Sequence, residues 1–136
     1  MKKQILLLAI FILPFYFLKA QDVSKETIQW NASGFKDLDT NETVANACQF
    51  ITYGTSKIKW IQDEGRAVVE WGVAATSGPW TDASKNGAYK YSFKDGAMSG
   101  TLTMKKDANG WVAELILTGG SNDIHLQYTV SSIQKI

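Results

Sequence analysis

The sequence predicts an all-β domain, an antiparallel meander of about eight strands preceded by an export signal. Three observations carry this. Apolar and polar residues alternate with period two over most of the chain after residue 25. Gly, Asp and Asn cluster at short intervals between the alternating runs. The longest uncharged apolar run is 14 residues, Ile5 to Leu18, and it lies at the start.

That first segment reads as a signal peptide over residues 1–20. Lys2 and Lys3 open it, the apolar run follows, and Lys19-Ala20 leads into the polar Gln21-Asp22. Charged start, apolar middle and small exit residue are the parts of a secretory signal. A membrane-spanning helix needs about 20 apolar residues, so the run is short for an anchor. Cleavage after Ala20 leaves one domain, residues 21–136, in a secreted or periplasmic compartment and without a transmembrane segment.

The remaining 116 residues carry eleven basic and thirteen acidic side chains. A slightly acidic domain lacks the basic face that nucleic acid requires, so nucleic acid is excluded as a partner. Cys48 is the only cysteine, which rules out an internal disulfide and predicts a small buried hydrophobe in a monomeric protein.

The second half gives the clearest strands. Tyr89, Tyr91 and Phe93 share one face, with Lys90, Ser92 and Lys94 on the other. Asp95-Gly96 predicts a two-residue hairpin with both φ positive. Met98, Gly100, Leu102 and Met104 alternate next, then turn at 107–110. Trp111, Ala113, Leu115 and Leu117 form the following strand, and Ile124, Leu126, Tyr128 and Val130 the last. In the first half, Ile28 and Trp30 mark a strand. Phe50 to Tyr53 and Ile58 with Trp60 make a hairpin about Gly54. After the Asp63-Glu64-Gly65 turn, Val69, Trp71, Val73 and Ala75 are expected on one face of a long strand. One segment competes. Asp39 and Glu42 form a capping box, and Val44, Ala47, Cys48 and Ile51 follow helical spacing, so a short helix is expected over about Thr40 to Cys48. Strands that each lead to their neighbour favour an up-and-down barrel, with a two-sheet sandwich second.

Chemistry-bearing residues are few. His125 is the only histidine, and with Cys48 it is too little for a zinc site or a catalytic triad, so neither metal nor cofactor is expected. Glu70 and Glu114 interrupt apolar strands as a glycosidase pair would. Both fall on the polar face, where charged residues ordinarily sit. No catalytic residue is assigned and the chain is not read as an enzyme. Asn31-Ala32-Ser33 and Asn41-Glu42-Thr43 match the glycosylation pattern, which matters only in a eukaryotic source.

Tryptophan is the compositional anomaly, with five residues at positions 30, 60, 71, 80 and 111. Trp60, Trp71 and Trp111 are in phase with aliphatic neighbours and are expected in the core. Trp71, Tyr89 and Tyr91 face a common interior, where aromatic rings with polar tips suit an apolar or sugar-like ligand. Trp80 lies in the Gly78-Pro79-Trp80-Thr81-Asp82 loop and is expected as an exposed contact residue of little weight in stability. These four form the candidate binding site, for a small-molecule ligand or, alternatively, a protein partner such as an exported hydrolase.

An exported chain of this size with an eight-strand meander resembles the lipocalin-like (calycin) barrels. Trp30-Asn31-Ala32-Ser33-Gly34 is similar to the Gly-x-Trp opening of lipocalins and the Trp-x-Asn of avidins, but position 28 is Ile where lipocalins have Gly. The resemblance implies a ligand-binding barrel and carries over no residue. Mass spectrometry of exported material is expected to show a chain beginning at or within a few residues of Gln21; a membrane-fixed chain beginning at Met1 would refute the signal reading.

Overall fold

Turn-forming residues cut the chain into alternating segments, all but one of them six to twelve residues and long enough to cross a small barrel. In the computed structural model, which describes residues 21–136, these segments are nine strands. They are β1 (Thr27–Asp37), β2 (Thr43–Val44), β3 (Cys48–Tyr53), β4 (Lys57–Gln62), β5 (Ala67–Ser77), β6 (Gly87–Asp95), β7 (Met98–Asp107), β8 (Gly110–Thr118) and β9 (Ile124–Lys135). The signal read over residues 1–20 lies outside the described residues. All pairings are antiparallel, in the order β2-β1-β3-β4-β5-β6-β7-β8-β9, and β9 pairs back onto β1. Eight strands therefore close into a barrel and β2 is an extra.

The seam is long. It runs from Ile28↔Lys135 to Asp37↔Leu126, with two register shifts around Ala32. Only the first half of β1 also pairs with β3, as far as Ala32↔Cys48. Beyond that point β1 outruns β3, and β2 covers the gap through Phe35↔Val44 and Lys36↔Thr43. Gly34 permits this, because a Cβ there would stand 2.5 Å from the Val44 carbonyl oxygen.

Three local expectations change. No α-helix forms over Thr40 to Cys48: Thr43 and Val44 are strand, Ala45–Ala47 carry no regular structure, and Cys48 opens β3. A nine-residue helix is marginal without a buried face. Val44 is exposed here, whereas Cys48 and Ile51 are buried as strand residues. The β6–β7 hairpin keeps two central residues, but they are Gly96 and Ala97, between the Asp95↔Met98 pair. Only Gly96 has positive φ, at 59°, which is the pattern of a turn with glycine first. Finally, Ala75 leaves the face of Trp71. A bulge between Val73 and Ala75 inserts one residue against β6 and reverses the phase.

Elsewhere the predicted phase holds, and it aims the large side chains inward. Trp71, Tyr89, Tyr91, Leu102 and Tyr128 are buried, and Trp111 packs against them. A column of rings crosses the interior: Phe93 on Trp71 at 4.4 Å, Trp71 on Trp60 at 5.9 Å, Trp60 on Phe50 at 6.0 Å, Phe50 on Tyr128 at 5.0 Å, and Tyr128 on Phe35 at 5.3 Å. An eight-stranded barrel either fills with side chains or holds one small ligand. Gly100 faces this interior, yet its missing side chain leaves no vacancy. A Cβ there would meet the Phe93 ring at 2.3 Å and Leu117 at 2.7 Å. Gly100→Val is accordingly expected to cost about 1–3 kcal/mol by overpacking. Equilibrium urea unfolding of the variant checks this, and unchanged stability would mean that the interior has slack.

Candidate functional site

The four residues predicted to bind a ligand are all inside the protein. Trp71 and Tyr91 belong to the packed interior, Tyr91 being fully buried. The Tyr89 and Tyr91 rings meet edge to face at 5.1 Å. Gly78 lies against Tyr89, where a Cβ would come within 2.4 Å of the ring.

Trp80 is the main correction. Sequence position on a loop predicts an exposed ring, but only 4% of Trp80 is exposed. The loop of residues 78–86 folds back over the end of the barrel. Its indole lies 5.8 Å from that of Trp30, and its Nε1 donates to the Lys85 carbonyl at 3.0 Å. Gly87 leaves room for it, since a Cβ there would stand 2.4 Å from the ring. Residues 21–23 lock the loop in place: Val23 N–H donates to the Trp80 carbonyl and Ala83 N–H to the Gln21 carbonyl. Trp111 Nε1 donates to the Ala83 carbonyl at 2.7 Å. Asp22 and Asp82 hold the two segments of this plug in shape. The Ser24 and Ser84 hydroxyls, each 2.6 Å from its carboxylate, keep both carboxyls below the usual carboxylate range. Hence one mouth of the barrel is stoppered by residues 21–26 and 78–86, with Trp80 as its apolar core.

Polar groups inside the barrel are sparse. Trp30 Nε1 donates to Thr52 Oγ1 at 3.0 Å, and Thr52 is fully buried. Trp60 Nε1, Trp71 Nε1 and the Tyr91 hydroxyl have no hydrogen-bond partner among the described residues. Each unpaired donor costs about 1–3 kcal/mol. Burying the 150–250 Å² of one such ring returns roughly 4–6 kcal/mol, so ring packing prevails. Burial also pushes the Cys48 thiol up to about 11, which keeps it protonated and unreactive near neutral pH.

The acidic residues considered for catalysis are on the outer wall and apart. Glu70, on β5, faces Lys57 Nζ at 3.5 Å and Lys59 Nζ at 3.9 Å. Glu114, on β8, faces His125 Nε2 at 3.3 Å. Two strands intervene, about 14 Å of wall at the usual strand spacing. Carboxylates that share one glycosidic bond lie within about 10 Å. The His125–Glu114 pair was not predicted, because it joins β8 to β9 diagonally and depends on the register Ile116↔His125. No group of three potential metal ligands occurs among the described residues, and none of their helices is long and apolar enough to cross a membrane.

A concavity opens on the barrel wall, with the buried Ala32 and Cys48 in its lining. It is an open groove of about 630 Å³ over the place where β1 outruns β3. Asn31, Gln49 and Ile61 form its floor; they are lateral neighbours across β1, β3 and β4 and out of phase with the core. Ser33 and Ser131 bound one side, Glu64 and Gly65 the other. Asn31 is pre-positioned, donating to Ser132 Oγ at 3.0 Å and accepting from Gln29 Nε2 at 2.9 Å. No residue pattern marks this site in advance, because it arises from unequal strand lengths.

Comparison with protein-family models, with curated proteins and with solved structures yields no match to this chain. The eight-strand antiparallel barrel is consistent with a calycin-like architecture.

Trp80→Ala is now expected to destabilise the protein by about 3–5 kcal/mol, the cost of truncating a large core ring. Thermal unfolding beside Trp71→Ala measures this. A loss below about 1 kcal/mol would return Trp80 to the role of a loop residue.

Proposed function

We propose that the mature chain is an exported, non-catalytic interaction module that engages a protein partner through its outer surface, for example an inhibitor of an exported hydrolase. The observation that carries this reading is the filled interior. The aromatic rings that would have lined a ligand cavity stack on one another, and glycine positions facing inward are occupied by neighbouring rings. A lipocalin-like use of the barrel would need that space. One mouth is also closed by the Trp80 plug.

A second reading draws on the outer groove. Its volume falls within the range of small-molecule sites, and its Asn, Gln and Ser side chains suit a sugar-like ligand. It lacks an aromatic floor.

The two readings separate in one set of titrations on the mature protein. Apolar ligands and oligosaccharides are added while tryptophan fluorescence and melting temperature are followed. Exported proteins of the same cell are screened for a saturable complex by analytical ultracentrifugation. The interaction reading expects no response to the small molecules and a defined complex with a protein. An apolar ligand that changes the fluorescence and raises the melting temperature would overturn it. Oligosaccharide binding that Asn31→Leu abolishes would establish the groove instead.

A further inference from the structure

We infer that the free edge of β5, from Ala74 to Ser77, is a docking site for an extended segment of a partner polypeptide, which joins the barrel wall as an added antiparallel strand. This rests on the interaction reading above and supplies the partner's chemistry.

β4 accompanies β5 only along Ala67–Gly72, and the last bond between that hairpin and β5 is Val73 N–H to the Ser56 carbonyl at 2.9 Å. β5 then continues for four residues. On one side Ala75, Thr76 and Ser77 pair with Ser92, Tyr91 and Lys90 of β6. On the other side they form no backbone hydrogen bond with any described residue, and all four are exposed. Alternate residues of a strand turn their N–H and C=O to opposite sides, so half of these groups face outward unpaired.

An unpaired edge is a template for strand addition. Proteins ordinarily blunt such edges with charge or proline. Here the side chains are Ala, Ala, Thr and Ser, and the first proline, Pro79, comes after the strand has ended. The bulge at Ala74 is the only blunting device. The edge is about 13 Å long at 3.3 Å per residue, the length of a four-residue segment.

Charge selects the occupant. Lys90 lies beside Ser77 on the outer face, is exposed, and has no carboxylate within ion-pair distance among the described residues. A second copy of the chain would bring another Ala-Ala-Thr-Ser edge, which offers Lys90 no acid. A partner segment with small or β-branched side chains and one Asp or Glu level with Ser77 meets both the ladder and the lysine.

The test uses random octapeptides displayed on phage and panned against the mature protein, with recovered peptides synthesised for titration and amide hydrogen exchange. Enriched peptides are expected to be β-branched and to carry an acidic residue. Binding is expected to slow exchange within Ala74–Ser77. Ala74→Lys, which puts on the edge the kind of charge that ordinarily blunts one, should weaken it by about tenfold without changing the melting temperature. Lys90→Glu, a surface change, should turn the preference from acidic to basic peptides. Three results would overturn the inference. One is no enrichment. Another is protection of Asn31, Gln49 and Ile61 instead, which leaves the interaction reading intact at a different surface. The third is a free protein that sediments as a dimer with the β5 amides already protected, which makes a second copy the occupant.

Discussion

The ring column from Phe93 to Phe35 is the interaction on which the rest of the molecule depends. Its members come from β6, β5, β4, β3, β9 and β1 in turn, so one apolar stack ties together six of the eight barrel strands. Edge-to-face and offset contacts of this kind hold each ring at a set height in the barrel. That height in turn fixes register, because a slip of one residue would turn the ring outward. Two of the unpaired donors, Trp60 Nε1 and Trp71 Nε1, belong to rings of this column, so both indoles keep their place in the stack without a hydrogen-bond partner.

Much of the barrel was legible from residue order. Period-two alternation located the strand cores, and the inward phase of Trp71, Tyr89, Tyr91, Leu102 and Tyr128 followed from it. What escaped was set by long-range pairing. The helical spacing of Val44, Ala47, Cys48 and Ile51 is real, but β1 offers Thr43 and Val44 a ladder, and that pairing takes the segment. The bulge at Ala74 has no marker in a run of small residues. Trp80 looked exposed because its loop is polar and follows Gly-Pro. Its burial depends on residues 21–23 lying at the same barrel end, a contact separated by more than fifty residues.

Unequal strand lengths explain both outer features. β1 runs past β3 and leaves the groove. β5 runs past β4 and leaves its own edge bare. A barrel with matched strands would show neither, and its outer wall would be a continuous polar surface. The interior is packed with rings, and the places where the ladder is incomplete lie at the ends of unequal strands.

The seam between β1 and β9 has a kinetic meaning. Every other barrel neighbour except the β1–β3 pair is joined by a single turn or loop, so those hairpins form early and locally. The seam instead unites residues about a hundred apart, as in Ile28↔Lys135. Loop closure on that scale must be met before the contacts reward it, which places the domain among slow folders, in the millisecond-to-second range. Until β9 arrives, the closing side of β1 is an open template, exposed to other chains in the same compartment. The order of synthesis leaves β9 to the end. Any state in which the β1–β9 seam is open bares two unpaired strand edges, so closing the seam is what removes the template for edge-to-edge pairing with another chain.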